Sequence, residues 1–265
     1  MKERLDILLF NRKLTQSREK ARILIMEGLV YVDNQKSDKP GSLHNVNSKI
    51  EIRENKIKYV SRGGLKLEKA IQKFNIDLTN LNCMDIGAST GGFTDCMLQN
   101  NCNVVYSVDV GYGQLDWKLR NNSKVINLER TNIRYLDASL IKHEINFFSV
   151  DVSFISLKLV LPVIKNIINY GVSGVCLIKP QFEAGREKVG KKGVVKDINT
   201  HEEVINNICE FCLENEFDIL NLDYSPIKGP EGNIEYLIHI KKSHDTYINS
   251  NIDISNIVKK SHEEL

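Results

Sequence analysis

The chain has 265 residues, 42% hydrophobic and 26% charged, with a net charge of +2, which places it among ordinary folded proteins and excludes a disordered or fibrous chain. Its longest apolar runs, such as Val172–Ile178 and Ile23–Met26, fall far short of the roughly 20 residues that cross a bilayer. Lys2, Glu3, Arg4 and Asp6 interrupt any apolar export signal, and six cysteines lie scattered in apolar stretches as reduced thiols would, so a cytoplasmic protein is expected.

The charge is unevenly placed. Residues 1–62 hold fourteen Lys and Arg against eight Asp and Glu, a net of +6, and the remainder holds 22 against 26, a net of −4. A basic headpiece on a mildly acidic body suits a polyanion, because neutralised phosphates supply most non-specific nucleic-acid affinity. Within the headpiece, Leu5, Leu8, Leu9 and Leu14 predict a short helix in residues 3–13. A second helix follows, capped by Ser17, with Ala21, Leu24 and Ile25 as its apolar stripe and Gly28 past its end. Leu29–Val32 and Lys49–Arg53 alternate as strands, with a turn at Asp33-Asn34. The pattern lapses between Asn55 and Gly64. Residues 1–58 therefore read as a small α+β domain and residues 59–64 as a linker.

Beyond the linker, Leu65, Leu67, Ala70, Ile71 and Phe74 have helical spacing. Short apolar runs then alternate with amphipathic segments: Cys83–Ile86, Val104–Val108, Val125–Leu128, Phe147–Val150, Val175–Ile178, Ile219–Leu222 and Tyr236–Ile240. Seven such runs predict an α/β domain over residues 65–242, a mainly parallel, Rossmann-like sheet covered on both faces, with ligands beyond the carboxyl ends of its strands. The polar tail, residues 243–265, reads as a loosely packed helix or as disorder.

Residues just past the strands therefore carry the chemistry. The first strand runs into Asp85-Ile86-Gly87-Ala88-Ser89-Thr90-Gly91-Gly92-Phe93-Thr94, where glycines permit a sharp turn and close backbone approach to a ligand. Asp109 ends the next strand, 22 residues after Gly87, where a carboxylate can accept from the hydroxyls of an adenosine ribose. The glycine spacing departs from the dinucleotide pattern, and Asp85 at its strand end suits a cationic ligand; together these fit S-adenosylmethionine. Four more charges fall on or near strand ends: Asp151, Lys179, Glu235, and Lys66 on the preceding helix. Two lysines and two carboxylates make a nearly neutral cluster able to orient a weakly acidic hydroxyl. Lys179 is the candidate base, the alternative being that it stays cationic and stabilises a developing alkoxide.

These segments, with Arg62-Gly63-Gly64-Leu65-Lys66-Leu67, Asp151-Val152-Ser153-Phe154-Ile155-Ser156-Leu157, Lys179-Pro180-Gln181-Phe182-Glu183 and Gly229-Pro230-Glu231-Gly232-Asn233-Ile234-Glu235, resemble the TlyA family, historically labelled haemolysin A. The resemblance implies an S-four-type RNA-binding domain fused to an FtsJ-like methyltransferase domain that modifies cytidine 2'-hydroxyls in 16S and/or 23S ribosomal RNA. It implies a Lys-Asp-Lys-Glu catalytic set on Lys66, Asp151, Lys179 and Glu235, the S-adenosylmethionine motif on Asp85–Thr94, and the ribose acid at Asp109. Arg4, Arg18 and Lys39 would meet RNA phosphates, and Lys20, Arg22, Arg62, Arg186 and Lys188 join them as basic candidates. The implied partner is ribosomal RNA or a ribosomal subunit, with no membrane and no obligate protein partner.

Phe154 reads either as a stacking platform for the target base or as a core aromatic. The basic, glycine-bearing loop over residues 184–196 reads as a cover over RNA or as a solvated loop. Cys209 and Cys212 lack a second pair at ligand spacing, so no metal is expected. Two rival readings are a non-catalytic ribosome assembly factor, which cofactor titration would separate, and a membrane-active haemolysin, which liposome leakage would reveal.

Overall fold

A computed structural model describes residues 2–26, 28–53 and 58–265, and the chain divides into two compact units between Lys58 and Tyr59. The first unit runs β1 (Lys2–Arg4), α1 (Leu5–Asn11), α2 (Arg18–Met26), β2 (Val30–Val32), β3 (Gln35–Lys36), β4 (Leu43–Asn45) and β5 (Ile50–Ile52). Strands β3-β2-β5 form an antiparallel sheet and β1 pairs with β4. Leu5, Leu9, Ala21, Ile25, Val30 and Val32 bury one another between helices and sheet. Ser17 Oγ accepts from the Lys20 amide at 3.1 Å and so caps α2. Asp33 and Asn34 both take positive φ, 49° and 65°, the conformation a tight hairpin demands and that Asx residues tolerate.

The lapse in pattern from Asn55 begins within residues 54–57, which lie outside the described residues. From Tyr59 onward the expected linker belongs to the second unit. Tyr59 is buried, its hydroxyl donates to Glu68 at 3.0 Å, and the Val60 amide donates to Asp95 Oδ2 at 2.8 Å. A Cβ on Gly64 would lie 2.4 Å from the Tyr59 ring, so that glycine is the space the ring occupies.

The second unit runs α3 (Gly63–Phe74), β6 (Asn82–Ile86), α4 (Gly92–Gln99), β7 (Val104–Val108), α5 (Trp117–Arg120), β8 (Val125–Leu128), β9 (Phe147–Val150), α6 (Leu157–Ile167), β10 (Ser173–Ile178), α7 (Pro180–Glu183), α8 (Ile198–Glu214), β11 (Phe217–Tyr224), β12 (Tyr236–Lys242) and α9 (Ile254–Glu264). All seven expected strands form one sheet in the order β11-β12-β10-β9-β6-β7-β8. Only β12 runs antiparallel to its neighbours. The side-chain period of two sorts each strand between two cores. Cys83, Val105, Phe147, Val175 and Leu177 join α3 and α4 on one face. Met84, Tyr106, Phe148, Cys176 and Ile178 join α6 and α8 on the other. Cys209 and Cys212 are buried in that second core.

The tail ends in a helix, one of the two states expected for it, but a packed one. Ile248 bridges to Ile219 of β11, and α9 buries Val258 and Ser261. Its apolar residues Ile254, Ile257 and Val258 pack on the core shared with α8. Among the described residues no helix is long and apolar enough to cross a membrane.

Candidate active site

Chain direction builds the site. Parallel strands β9 and β10 end on the same rim, so Asp151 and Lys179, each the next residue, fall side by side. Strand β12 starts where β10 stops, with Ile178 opposite Tyr236, and this brings Glu235 to the same place. The first turn of α3, packed over β12, adds Lys66. Lys66 Nζ donates to Glu235 Oε2 at 2.6 Å and stands 3.8 Å from Asp151 Oδ2. Lys179 Nζ reaches Asp151 Oδ1 at 2.5 Å and Ser153 Oγ at 3.3 Å. The result is a continuous chain from Glu235 through Lys66, Asp151 and Lys179 to Ser153.

All four charges are largely withdrawn from water: Lys66 and Lys179 are 7% exposed and Glu235 is fully buried. Such burial is tolerable because lysines and carboxylates stand against one another, with Glu235 Oε1 left as a buried oxygen that has no hydrogen-bond partner among the described residues. Burial by itself would lower the Lys66 pKa, but the charges of Asp151 and Glu235 outweigh it and hold Lys66 above the ordinary lysine value. Burial would likewise raise Asp151, yet the two lysines hold its carboxyl below the ordinary range. Lys66 is thus a fixed cation and Asp151 a fixed anion at neutral pH.

The turn after β6 is as tight as its glycines imply. Gly87 has φ 85° and a Cβ there would lie 2.4 Å from the Asp151 carbonyl oxygen; Gly91 has φ 96° and would meet Leu119 at 2.2 Å. A cleft of about 940 Å³ opens beside it, lined by Gly87, Ser89, Asp109, Val110, Ile133 and Asp151 among others. Asp109 faces this cleft while accepting from the Ser89 amide at 2.8 Å and the Gly111 amide at 2.6 Å. Ala88 and Phe93 turn back into the protein and are buried, and Thr90, Gly91 and Gly92 carry the backbone from the turn into α4.

Asp85 sits elsewhere than its strand-end position suggested. It is fully buried and flanked in register by Ser107 and Ser149. Its oxygens accept from Thr94 Oγ1 at 2.7 Å and Ser149 Oγ at 2.9 Å, so it braces the turn from beneath and does not line the cleft. Burial, against these hydrogen bonds, pushes its carboxyl up to about 6.

A second cavity of about 610 Å³ adjoins the first, lined by Lys179, Gln181, Phe182, Glu231, Asn233 and Glu235 among others. Ser153, Phe154, Phe182 and Arg186 line both cavities and form the wall between them. Phe154, 91% exposed with φ 63°, is no core residue; its ring lies 5.1 Å from that of Phe182. Glu183 ties the two motif loops together, accepting from Ser156 Oγ at 2.6 Å and from the Leu157 amide at 2.8 Å. The loop over residues 184–196 is anchored at its far end: Asn233 Nδ2 donates to the Gly193 carbonyl at 2.9 Å, and the Val195 carbonyl lies 3.0 Å from His201 Nε2.

The basic candidates fall into three groups. In the first unit, Arg4 and Arg18 both pair with buried Asp6, each at 2.9 Å, which fixes two half-exposed guanidiniums side by side with one positive charge in excess. Lys20, Arg22 and Lys39 are exposed on the same unit. In the second unit Arg62 and Arg186 are exposed, whereas Lys188 is taken up by Glu203 at 2.5 Å. Sequence reasoning passed over Ser153 and Phe182; each stood inside a quoted motif, Ser153 beside Phe154 and Phe182 three residues after Lys179.

A family model described as FtsJ-like methyltransferase matches residues 59–242, and one described as S4 domain matches residues 3–48. A Bacillus subtilis relative, YqxC, provisionally named an rRNA methyltransferase, is 48% identical over 240 residues, 90% of this chain and 85% of its own. The 16S/23S rRNA (cytidine-2'-O)-methyltransferase TlyA of Mycobacterium tuberculosis is 37% identical over 243 residues, 91% of each chain. A solved structure from Streptococcus thermophilus, provisionally named a hemolysin, is 43% identical, with a TM-score of 0.80 covering 99% of this chain and 96% of its own. The chain therefore belongs to the FtsJ-like methyltransferase family, in the TlyA branch that carries an S4 domain ahead of the methyltransferase.

Proposed function

We propose that this protein transfers a methyl group from S-adenosylmethionine to the 2'-hydroxyl of a cytidine in ribosomal RNA, and so works in the cytoplasm on RNA or a ribosomal subunit. The observation that carries the reading is the chain Glu235, Lys66, Asp151, Lys179 set between two cavities, one floored by a glycine turn. The first cavity suits the cofactor. Bare backbone at Gly87 leaves room for close approach, Asp109 offers a carboxylate to ribose hydroxyls, and Val110 and Ile133 supply apolar walls for a flat base. Bound there, S-adenosylmethionine would supply an electrophilic methyl carbon.

The second cavity then holds the target nucleotide, with its 2'-oxygen at Lys179. A ribose hydroxyl is too weak an acid to ionise at neutral pH, so it needs a placed acceptor. Lys179 Nζ, as the neutral amine, is placed to take that proton, and the bound cofactor would supply the methyl carbon, its bond to the sulfonium sulfur breaking with the electron pair left on sulfur as the 2'-oxygen takes the carbon. Asp151 holds Lys179 in place, and Lys66, clamped by Glu235, keeps Asp151 anionic. Phe154, exposed over the wall between the cavities, stacks on the target base. Arg4, Arg18, Lys20, Arg22 and Lys39 on the first unit, with Arg62 and Arg186 on the second, meet phosphates, and this makes binding salt-sensitive. The test is to incubate unmethylated ribosomal subunits with methyl-labelled cofactor and digest the RNA to nucleosides. The expected label lies on the ribose of cytidine; label on a base would refute the reaction.

A further inference from the structure

We propose that Ser153 is a positioning residue for Lys179, its Oγ fixing where the lysine nitrogen stands relative to the target hydroxyl. The inference rests on the reading of Lys179 given above. Lys179 Nζ ends a flexible four-carbon arm and carries three directions besides its bond to carbon. Asp151 Oδ1 takes one at 2.5 Å. A single anchor leaves the nitrogen free to swing on an arc about that oxygen. Ser153 Oγ, accepting at 3.3 Å, supplies the second anchor and leaves the third direction for substrate.

Its place in the fold supports the same role. Ser153 is exposed and lines both cavities, so its hydroxyl sits on the partition across which the methyl group must pass. The next residue, Phe154, has φ 63°, a left-handed conformation that is unfavourable for a non-glycine residue. The adjoining residues are held: Glu183 grips Ser156 and Leu157. A strained turn kept in place this way aims the preceding side chain at a defined point. Ser153 has no load to bear in the core, where a structural serine would be buried.

The experiment is steady-state kinetics of Ser153→Ala and Ser153→Thr on ribosomal subunits, with the cofactor dissociation constant measured by titration and Lys179→Ala as a control. Misplacement of a reacting group by about 1 Å costs on the order of a hundredfold in rate. Ser153→Ala should therefore lose about ten- to hundredfold in kcat, with KM for RNA and cofactor affinity within about twofold of wild type. Ser153→Thr, which restores the hydroxyl at an exposed position, should recover most of the rate. An unchanged kcat in Ser153→Ala, a loss confined to KM for RNA, or a loss that Ser153→Thr leaves unrepaired would overturn the assignment. Wild-type turnover by Lys179→Ala would instead bring down the reading beneath it.

Discussion

Replacing Asp151 by Asn removes the one charge that both active-site lysines share. In the native rim Asp151 lies 2.5 Å from Lys179 and 3.8 Å from Lys66, and the change leaves Lys179 without its carboxylate and Lys66 with Glu235 alone. Breaking a buried ion pair costs about 3–5 kcal/mol. The lower end applies, because the Asp151 side chain keeps 19% of its exposure, Lys66 retains Glu235 at 2.6 Å, and a lysine can shed its proton. For a domain of this size about 3 kcal/mol corresponds to a fall of roughly 6–12 °C in Tm. The pH dependence adds a check. The folded-state pKa of Asp151 is depressed, so its contribution is present above the ordinary carboxylate pKa and is lost as pH falls through the folded value. Scanning calorimetry of wild type and Asp151→Asn should thus show a large gap at pH 7 that narrows below about pH 4. A gap within about 2 °C at pH 7 would contradict the description of the rim as a mutually compensated ion cluster.

The first unit has its own acid sensitivity. The Arg4 guanidinium, against burial, and then Arg18 hold the Asp6 carboxyl down at about 2, so the stability it confers should disappear between about pH 4 and pH 2. Because both arginines are half-exposed, the size is about 1–2 kcal/mol; urea unfolding of Asp6→Asn should show a smaller acid-dependent loss than wild type. Gly87→Ala combines a positive φ with a contact of 2.4 Å on the Asp151 carbonyl; calorimetric titration should find cofactor affinity reduced at least about tenfold, with a destabilisation of about 1–3 kcal/mol. Phe154→Ala deletes a ring that is 91% exposed, so stability should stay within about 0.5 kcal/mol while methyl transfer to RNA falls. An equal loss of stability and activity would assign that ring to the fold.

Much of this architecture was legible in the sequence because strands covered on both faces are short continuous apolar runs, and each of the seven stood out between amphipathic or polar segments. The charged residues were legible for the same reason: Asp151 and Lys179 end apolar runs, where an ionised side chain is costly unless it has work to do. Direction was not legible. Nothing in Tyr236–Ile240 says that β12 runs backwards, yet that reversal brings Glu235 to the rim. Asp85 was misjudged because strand-end position does not tell which way a side chain points; the serines beside it in register, with Thr94 above, turn it inward. The pairing of β1 with β4 was invisible, since both strands are short and largely exposed. In the tail the spacing of Ile254, Ile257, Val258 and Ser261 did carry a helical stripe, masked by the polar residues around it.

The most direct measurement follows methyl transfer from labelled S-adenosylmethionine to ribosomal subunits by wild type and by Lys179→Ala, with cofactor binding titrated in both. Label on ribose with the native enzyme, none above background with the variant, and equal cofactor affinity in the two would place Lys179 at the target hydroxyl. Ribose methylation by Lys179→Ala at the native rate would mean that the proton leaves by another route.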